Sequence, residues 1–186
     1  MDLTLKDIFI CHIVYECDFI QLFNDMIVDS CDWQEHLFVV YGNHAWDESK
    51  KYNLRNSYYI DSFDDHYFME LIEKSAQIIV HCLYTPDLTN FLFQNQHLLH
   101  KVNWLLWGGD LYLYRQVGSG SNSEKNEIKR RSIIKNIAYI TVSFEEEFKR
   151  ALDVYGGDAQ YKFAFYPQPK DFCEYRLETA RGKIKP

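Results

Sequence analysis

Apolar residues in this chain fall into short continuous runs, separated by segments in which they recur at helical spacing. The run IFICHIVY (8–15) is apolar on both faces, which predicts a strand covered from both sides. Asp18 then offers a helix cap, and Phe19, Leu22, Phe23, Met26 and Ile27 follow the 3.6-residue period. HLFVVYG (36–42) predicts a second strand and Ser57–Ile60 a short third. A helix with the face Phe63, Tyr67, Phe68, Leu71 and Ile72 comes next, then a strand over QIIVHCLY (77–84). Thr85-Pro86-Asp87 opens a helix with a cap, a first-turn proline and an acid near the positive end. Val102–Trp107 predicts another strand, GSGSNSE (118–124) a loop, and Glu124 to Asn136 a charged helix. AYITV (138–142) predicts a strand, and Ser143 with Glu146 matches a capping box for a helix ending at Gly156 and Gly157. KFAFYP (162–167) is the last strand, stopped by Pro167 and Pro169.

Strands alternating with helices over short links predict a three-layer, Rossmann-like α/β domain with a mostly parallel sheet. The domain is expected over 1–169, with 170–186 a polar linker or tail. Ligands of such sheets collect beyond the carboxyl ends of the strands. The residues expected there are Tyr15 and Glu16, Gly42 to His44, His81, Trp107 to Asp110, and Ser143.

Composition narrows the partners. A formal net charge of -7 argues against a general nucleic-acid binder. The five cysteines (Cys11, Cys17, Cys31, Cys82 and Cys173) form no CxxC pair, and no metal role is expected. Cys11 and Cys82 sit in apolar runs, as reduced core residues of a cytoplasmic protein do. The amino terminus lacks the pattern of a signal peptide, and no apolar run approaches the roughly 20 residues that span a bilayer. Work on a membrane substrate would therefore be done from the surface.

There is no G-x-G-x-x-G, no phosphate-binding G-x-x-x-x-G-K and no H-E-x-x-H. The stretch Trp107-Gly108-Gly109-Asp110-Leu111-Tyr112 says more. Glycines at a strand end let a ligand approach the backbone. A carboxylate there can accept a proton from a hydroxyl or bind sugar hydroxyls. The indole and phenols add flat apolar surface for a sugar ring. The plainer alternative has Asp110 capping the next segment and Trp107 packed in the core. His81 is likewise either a satisfied core imidazole or an acid/base residue. Lys125, Lys129, Arg130, Arg131 and Lys135 read either as a solvated helix face or as contacts to anionic headgroups.

WLLWGGDLY (104–112) follows LFND (22–25) and His81 through Pro86, and precedes ITVSFEEEF (140–148) and FYP (165–167). In that order these segments resemble the bacterial 4-acetamido-4,6-dideoxygalactose (Fuc4NAc) transferases of enterobacterial common antigen synthesis. The resemblance spans most of residues 8–167. It implies the N-terminal half of a GT-B glycosyltransferase, peripheral on the cytoplasmic face of the inner membrane. It also implies a donor nucleotide sugar, dTDP-linked, held mainly by a second domain that this chain lacks, and an undecaprenyl-diphosphate-linked saccharide as acceptor, with no cofactor. Asp110 would position or deprotonate the acceptor hydroxyl, with His81 second. Trp107, Gly108, Gly109, Tyr112, Tyr114 and Glu16 would bind the acceptor, and Lys129, Arg130 and Arg131 would meet membrane or phosphate. The isolated chain is expected to bind nucleotide sugar poorly. Asp110→Asn is expected to cost about 1 kcal/mol of stability or less, as a surface-type change. The other reading is a non-catalytic binding module for a lipid-linked saccharide or a partner protein.

Overall fold

The computed structural model describes residues 9–17, 19–42, 52–117 and 122–167. The first half runs β1 (Ile10–Tyr15), α1 (Phe19–Ser30), β2 (His36–Tyr41), β3 (Ser57–Tyr59), α2 (His66–Lys74) and β4 (Gln77–His81). The second runs α3 (Pro86–Gln94), β5 (Val102–Leu105), α4 (Asn122–Asn136), β6 (Tyr139–Val142), α5 (Glu145–Tyr155) and β7 (Gln160–Phe163). The seven strands form one sheet in the order β3-β2-β1-β4-β5-β6-β7, and every pairing is parallel. The three-layer Rossmann-like α/β domain is present, with a sheet parallel throughout the described strands rather than mostly so. Asp18, Asn43, His44, Cys173 and the 170–186 tail lie outside the described residues.

Side-chain alternation sorts the layers. Cys11, Ile13, Leu37, Val39, Ile78, Val80 and Trp104 point to one face, where Phe68, Leu88, Ile133 and Ala151 bring in α2 to α5. Val14, Phe38, Val40 and Leu105 point to the other face, against Ile20, Phe23 and Ile27 of α1. Asn24 of α1 is buried, and its amide brackets the backbone of Arg55 with bonds of 3.0 and 3.1 Å. That clamp fixes the approach to β3.

Local chemistry explains most element ends. Thr85 caps α3 with Pro86 in its first turn, and Asp65 caps α2 through a 2.7 Å bond from the Phe68 amide. Lys101 closes α2 by donating to the carbonyls of Ile72, Glu73 and Ser75, each at 2.9 Å. Three expectations are corrected. β4 stops at His81, because Cys82 takes a left-handed φ of 66° and turns the chain. β7 stops at Phe163, and the chain from Ala164 leaves the sheet. Ser143 does not form the capping box: α5 starts from Phe144, and the Ser143 hydroxyl donates to the Ala164 carbonyl at 2.9 Å.

Gly157 ends the turn after α5 with φ +98°, where an added Cβ would lie 2.5 Å from the Lys135 carbonyl oxygen. Gly157→Ala combines a disfavoured backbone with a collision against main chain. It is expected to cost about 1–3 kcal/mol, read as a lower thermal midpoint. A variant melting with the wild type would mean that this turn relaxes freely.

Candidate functional site

The sheet order reverses between β1 and β4: the chain passes from β1 outward to β2 and β3, then returns to β4. The carboxyl ends of the strands beside this reversal are the usual ligand position in such sheets. The residues at that edge are Tyr15 to Cys17 after β1, Cys82 and Leu83 after β4, and Leu106 to Asp110 after β5.

Asp110 lies at the bottom of this region and is not available to a ligand. It is 1% exposed. Its carboxylate accepts from Trp104 Nε1 at 2.6 Å and from the Leu83 and Trp107 amides at 3.0 Å each. Gly108 makes this possible, since its φ of +87° folds the chain back so that Asp110 reaches the Trp107 amide. Burial raises the Asp110 pKa, against the opposing pull of these bonds and of the Arg130 charge. Arg130 is itself fully buried. It donates to the carbonyls of Leu83 and Asp110, to Glu127 at 3.1 Å and to the Tyr155 hydroxyl at 2.5 Å. The Tyr155 hydroxyl in turn donates to the Leu111 carbonyl at 2.9 Å. Trp-Gly-Gly-Asp is thus the centre of a buried polar knot joining β4, β5, α4 and α5. This corrects the picture of Asp110 as a surface-type carboxylate, and the picture of Arg130 as a headgroup contact.

The other expected residues do not share one groove. Trp107 packs edge-on against Phe19 and Tyr166, with ring centroids 5.8 and 5.0 Å away. Tyr112 instead accepts from Arg150 at 2.9 Å, and Tyr114 packs on Tyr155 and Arg115. A Cβ added at Gly109 would meet nothing within 4 Å beyond its chain neighbours, so space there is open. Lys129 bonds the Asn90 side chain at 2.6 Å, and Arg131 donates to the Val154 carbonyl at 2.9 Å. Lys125, Lys129 and Arg130 line a hollow of about 660 Å³ between α3 and α4, together with Tyr84 and Pro86.

His81 is fully buried, and of its two partners His12 is one that no sequence motif singles out. Its Nε2 lies 2.9 Å from His12 Nδ1, and its Nδ1 lies 3.1 Å from the Tyr166 hydroxyl. His12 Nε2 is in turn 2.8 Å from His36 Nδ1. Three imidazoles from β2, β1 and β4 therefore form one hydrogen-bonded row on the α1 face, ending at Tyr166. Burial holds His81 down to about 3, depresses His12 well below its usual value, and lowers His36. Cys82 follows His81 in its strained conformation. Burial, then the nearby Asp110 carboxylate, pushes its thiol up, so it is no thiolate nucleophile.

A cleft of about 710 Å³ opens at the carboxyl ends of β1, β2 and β3 and reaches the start of α3. Tyr15, Tyr41 and Phe63 contribute rings, with Tyr41 centred 5.5 Å from Tyr15 and 5.0 Å from Phe63. Asp61, Ser62, Asp64, Asp87, Asn90 and Gln94 contribute carboxylates, a hydroxyl and amides. The Tyr41 hydroxyl bonds Thr85 Oγ1 at 3.0 Å and so ties β2 to the α3 cap. Glu16 stands beside this cleft, its Cβ 3.1 Å from where a side chain on Gly42 would begin. Among the strand ends expected from sequence, Tyr15 and Gly42 do line a cavity. The carboxylates of 61–64 carried no periodic signal that could have flagged them.

The described residues hold no group of three or more His, Cys, Asp or Glu able to bind a metal. No protein-family model matches the chain, and no curated protein matches it.

Proposed function

We propose that this chain is the acceptor-side domain of a GT-B-type glycosyltransferase acting on a lipid-linked saccharide, with the acceptor's sugar seated in the cleft above β1 to β3. The cleft carries the reading. Its volume suits a small ligand. Rings of Tyr15, Tyr41 and Phe63 beside carboxylates and amides suit a sugar, which offers flat C–H faces and outward hydroxyls. Three aspartates in its lining, Asp61, Asp64 and Asp87, disfavour a diphosphate, so the acceptor's anionic link points away from it. Glu16 takes the place expected for Asp110, as the carboxylate set to accept a proton from the acceptor hydroxyl.

The donor, a dTDP-linked 4-acetamido-4,6-dideoxyhexose or similar sugar, is held mainly by a second domain. The lipid tail brings the protein to the cytoplasmic face of the inner membrane as a peripheral partner. Among the described residues no helix is long and apolar enough to cross a membrane. One observation favours the alternative of a non-catalytic binding module: Asp110 and His81, the two expected acid/base residues, are both committed to internal bonds.

Saturation-transfer NMR with short N-acetylhexosamine oligosaccharides tests the cleft, and a transfer assay with a dTDP-linked sugar tests the chemistry. The expected outcome is saccharide binding weakened about tenfold or more by Tyr15→Ala, as for loss of an aromatic contact, with nucleotide sugar bound poorly. Binding by a full-length protein that never transfers would establish the module reading. No saccharide binding at all would overturn both.

A further inference from the structure

We propose that His36, His12, His81 and Tyr166 form a proton relay, connecting solvent at the amino end of β2 with the half-buried pair Tyr166 and Trp107 beyond the carboxyl ends of β4 and β5. The relay is independent of the saccharide cleft.

The geometry limits the row to two arrangements. A neutral imidazole donates through one nitrogen and accepts through the other. His12 and His81 each have both ring nitrogens committed within the row, at 2.8 to 3.1 Å. If one bond reversed alone, two N–H groups or two lone pairs would face each other. All bonds must therefore point from His36 towards Tyr166, or all the other way. Changing direction moves one proton along the row. A proton arriving at His36 Nε2 sends the Nδ1 proton to His12 Nε2. His12 passes its Nδ1 proton to His81 Nε2, and His81 passes its own to the Tyr166 oxygen. Tyr166 releases its hydroxyl proton to an oxygen acceptor on a ligand beside Trp107. One proton enters and one leaves, and each imidazole is neutral before and after. Passage in the opposite direction resets the row.

The surroundings suit this role. His12 and His81 have no exposed surface, whereas His36 keeps 8%. Around His12 lie Phe23 and Phe38, with rings at 5.5 and 4.6 Å, which offer no competing partner. The carboxylates nearest the row are Asp32 and Glu35, beside His36 at the solvent end. At the other end the groups beside Tyr166 are the thiols of Cys17 and Cys82. Trp107, packed on Tyr166, carries the one buried side-chain donor among the described residues without a partner, its Nε1. A ligand oxygen entering there would meet an unpaired donor beside a hydroxyl whose proton can be replaced.

The test is NMR on the chain with ¹⁵N-labelled histidine and tryptophan. The relay predicts that ring N–H protons of His12 and His81 exchange with water at least about tenfold faster than the Trp104 indole proton, which is equally buried but outside the row, where exchange waits for local opening. It also predicts that Tyr166→Phe shifts the ring ¹⁵N resonances of His36 as well as those of His81. Exchange as slow as that of Trp104 would overturn the proposal. So would a Tyr166→Phe response confined to His81, which is what a merely structural contact would give.

Discussion

Asp110→Ala is expected to lower the stability of the domain by about 3–5 kcal/mol, the scale for removing one partner of a buried charged network. The substitution strips three donors of their acceptor: the Trp104 indole and the amides of Leu83 and Trp107. Each is then left without a hydrogen bond, at about 1–3 kcal/mol per buried group before relaxation. It also removes the negative charge facing Arg130. Asp110→Asn keeps one acceptor oxygen but turns an amide donor towards N–H groups, so it is expected to lose less, though more than a surface change would. Urea denaturation of both variants measures this. An Asp110→Ala protein with wild-type stability would mean that the knot is replaceable, and Asp110 would again be a candidate for chemistry.

The row of histidines makes the fold sensitive to acid. In the folded protein His81 is held down to about 3 and His12 well below its usual value, so both stay neutral as pH falls below 6.5. In the unfolded chain they take up protons near pH 6.5. The unfolded state then binds more protons, so stability is complete above that pH and is lost as pH falls towards the folded values. At about 1.4 kcal/mol per pH unit for a group that protonates only when unfolded, His81 alone removes about 2 kcal/mol between pH 6.5 and 5, and His12 adds in the same direction. So does His36. Denaturation curves across this range should show the slope, and His81→Asn should lose its share. Equal stability at both ends of the range would show that the histidines already titrate in the folded protein.

The strands were legible because continuous apolar runs such as residues 36–41 have few other uses. Caps such as Thr85 were legible because their chemistry is local. Ser143 misled for the same reason: a capping box is a local pattern, and a carbonyl 21 residues away outcompeted it. Arg130 looked like one more cation in a basic run. Yet Glu127, Arg130, Ile134 and Ile137 recur every three or four residues, and that stripe is buried. The histidine row was beyond reach, because periodicity states which residues share a face within one strand and is silent on register between strands. Only the pairings Ile10 with His36 and Val14 with His81 place residues 12, 36 and 81 side by side. The aromatic and acidic cleft is hidden likewise, being assembled from four separate strand and helix ends.

The position of β1 has a consequence for the birth of the molecule. It is the earliest of the described strands and an interior one, flanked by β2 and β4. His12 meets its partner on β2 24 residues later, and its partner on β4 69 residues later. At ribosomal speed the second delay is roughly 3–14 s. Through that interval one edge of ICHIVY, an uncharged apolar segment of high strand propensity, has no native neighbour. A nascent chain is therefore most open to wrong pairing before residue 81 has emerged, and slow decoding between β2 and β4 lengthens that exposure. Synonymous codons in this window would change the yield of soluble protein without altering a single residue.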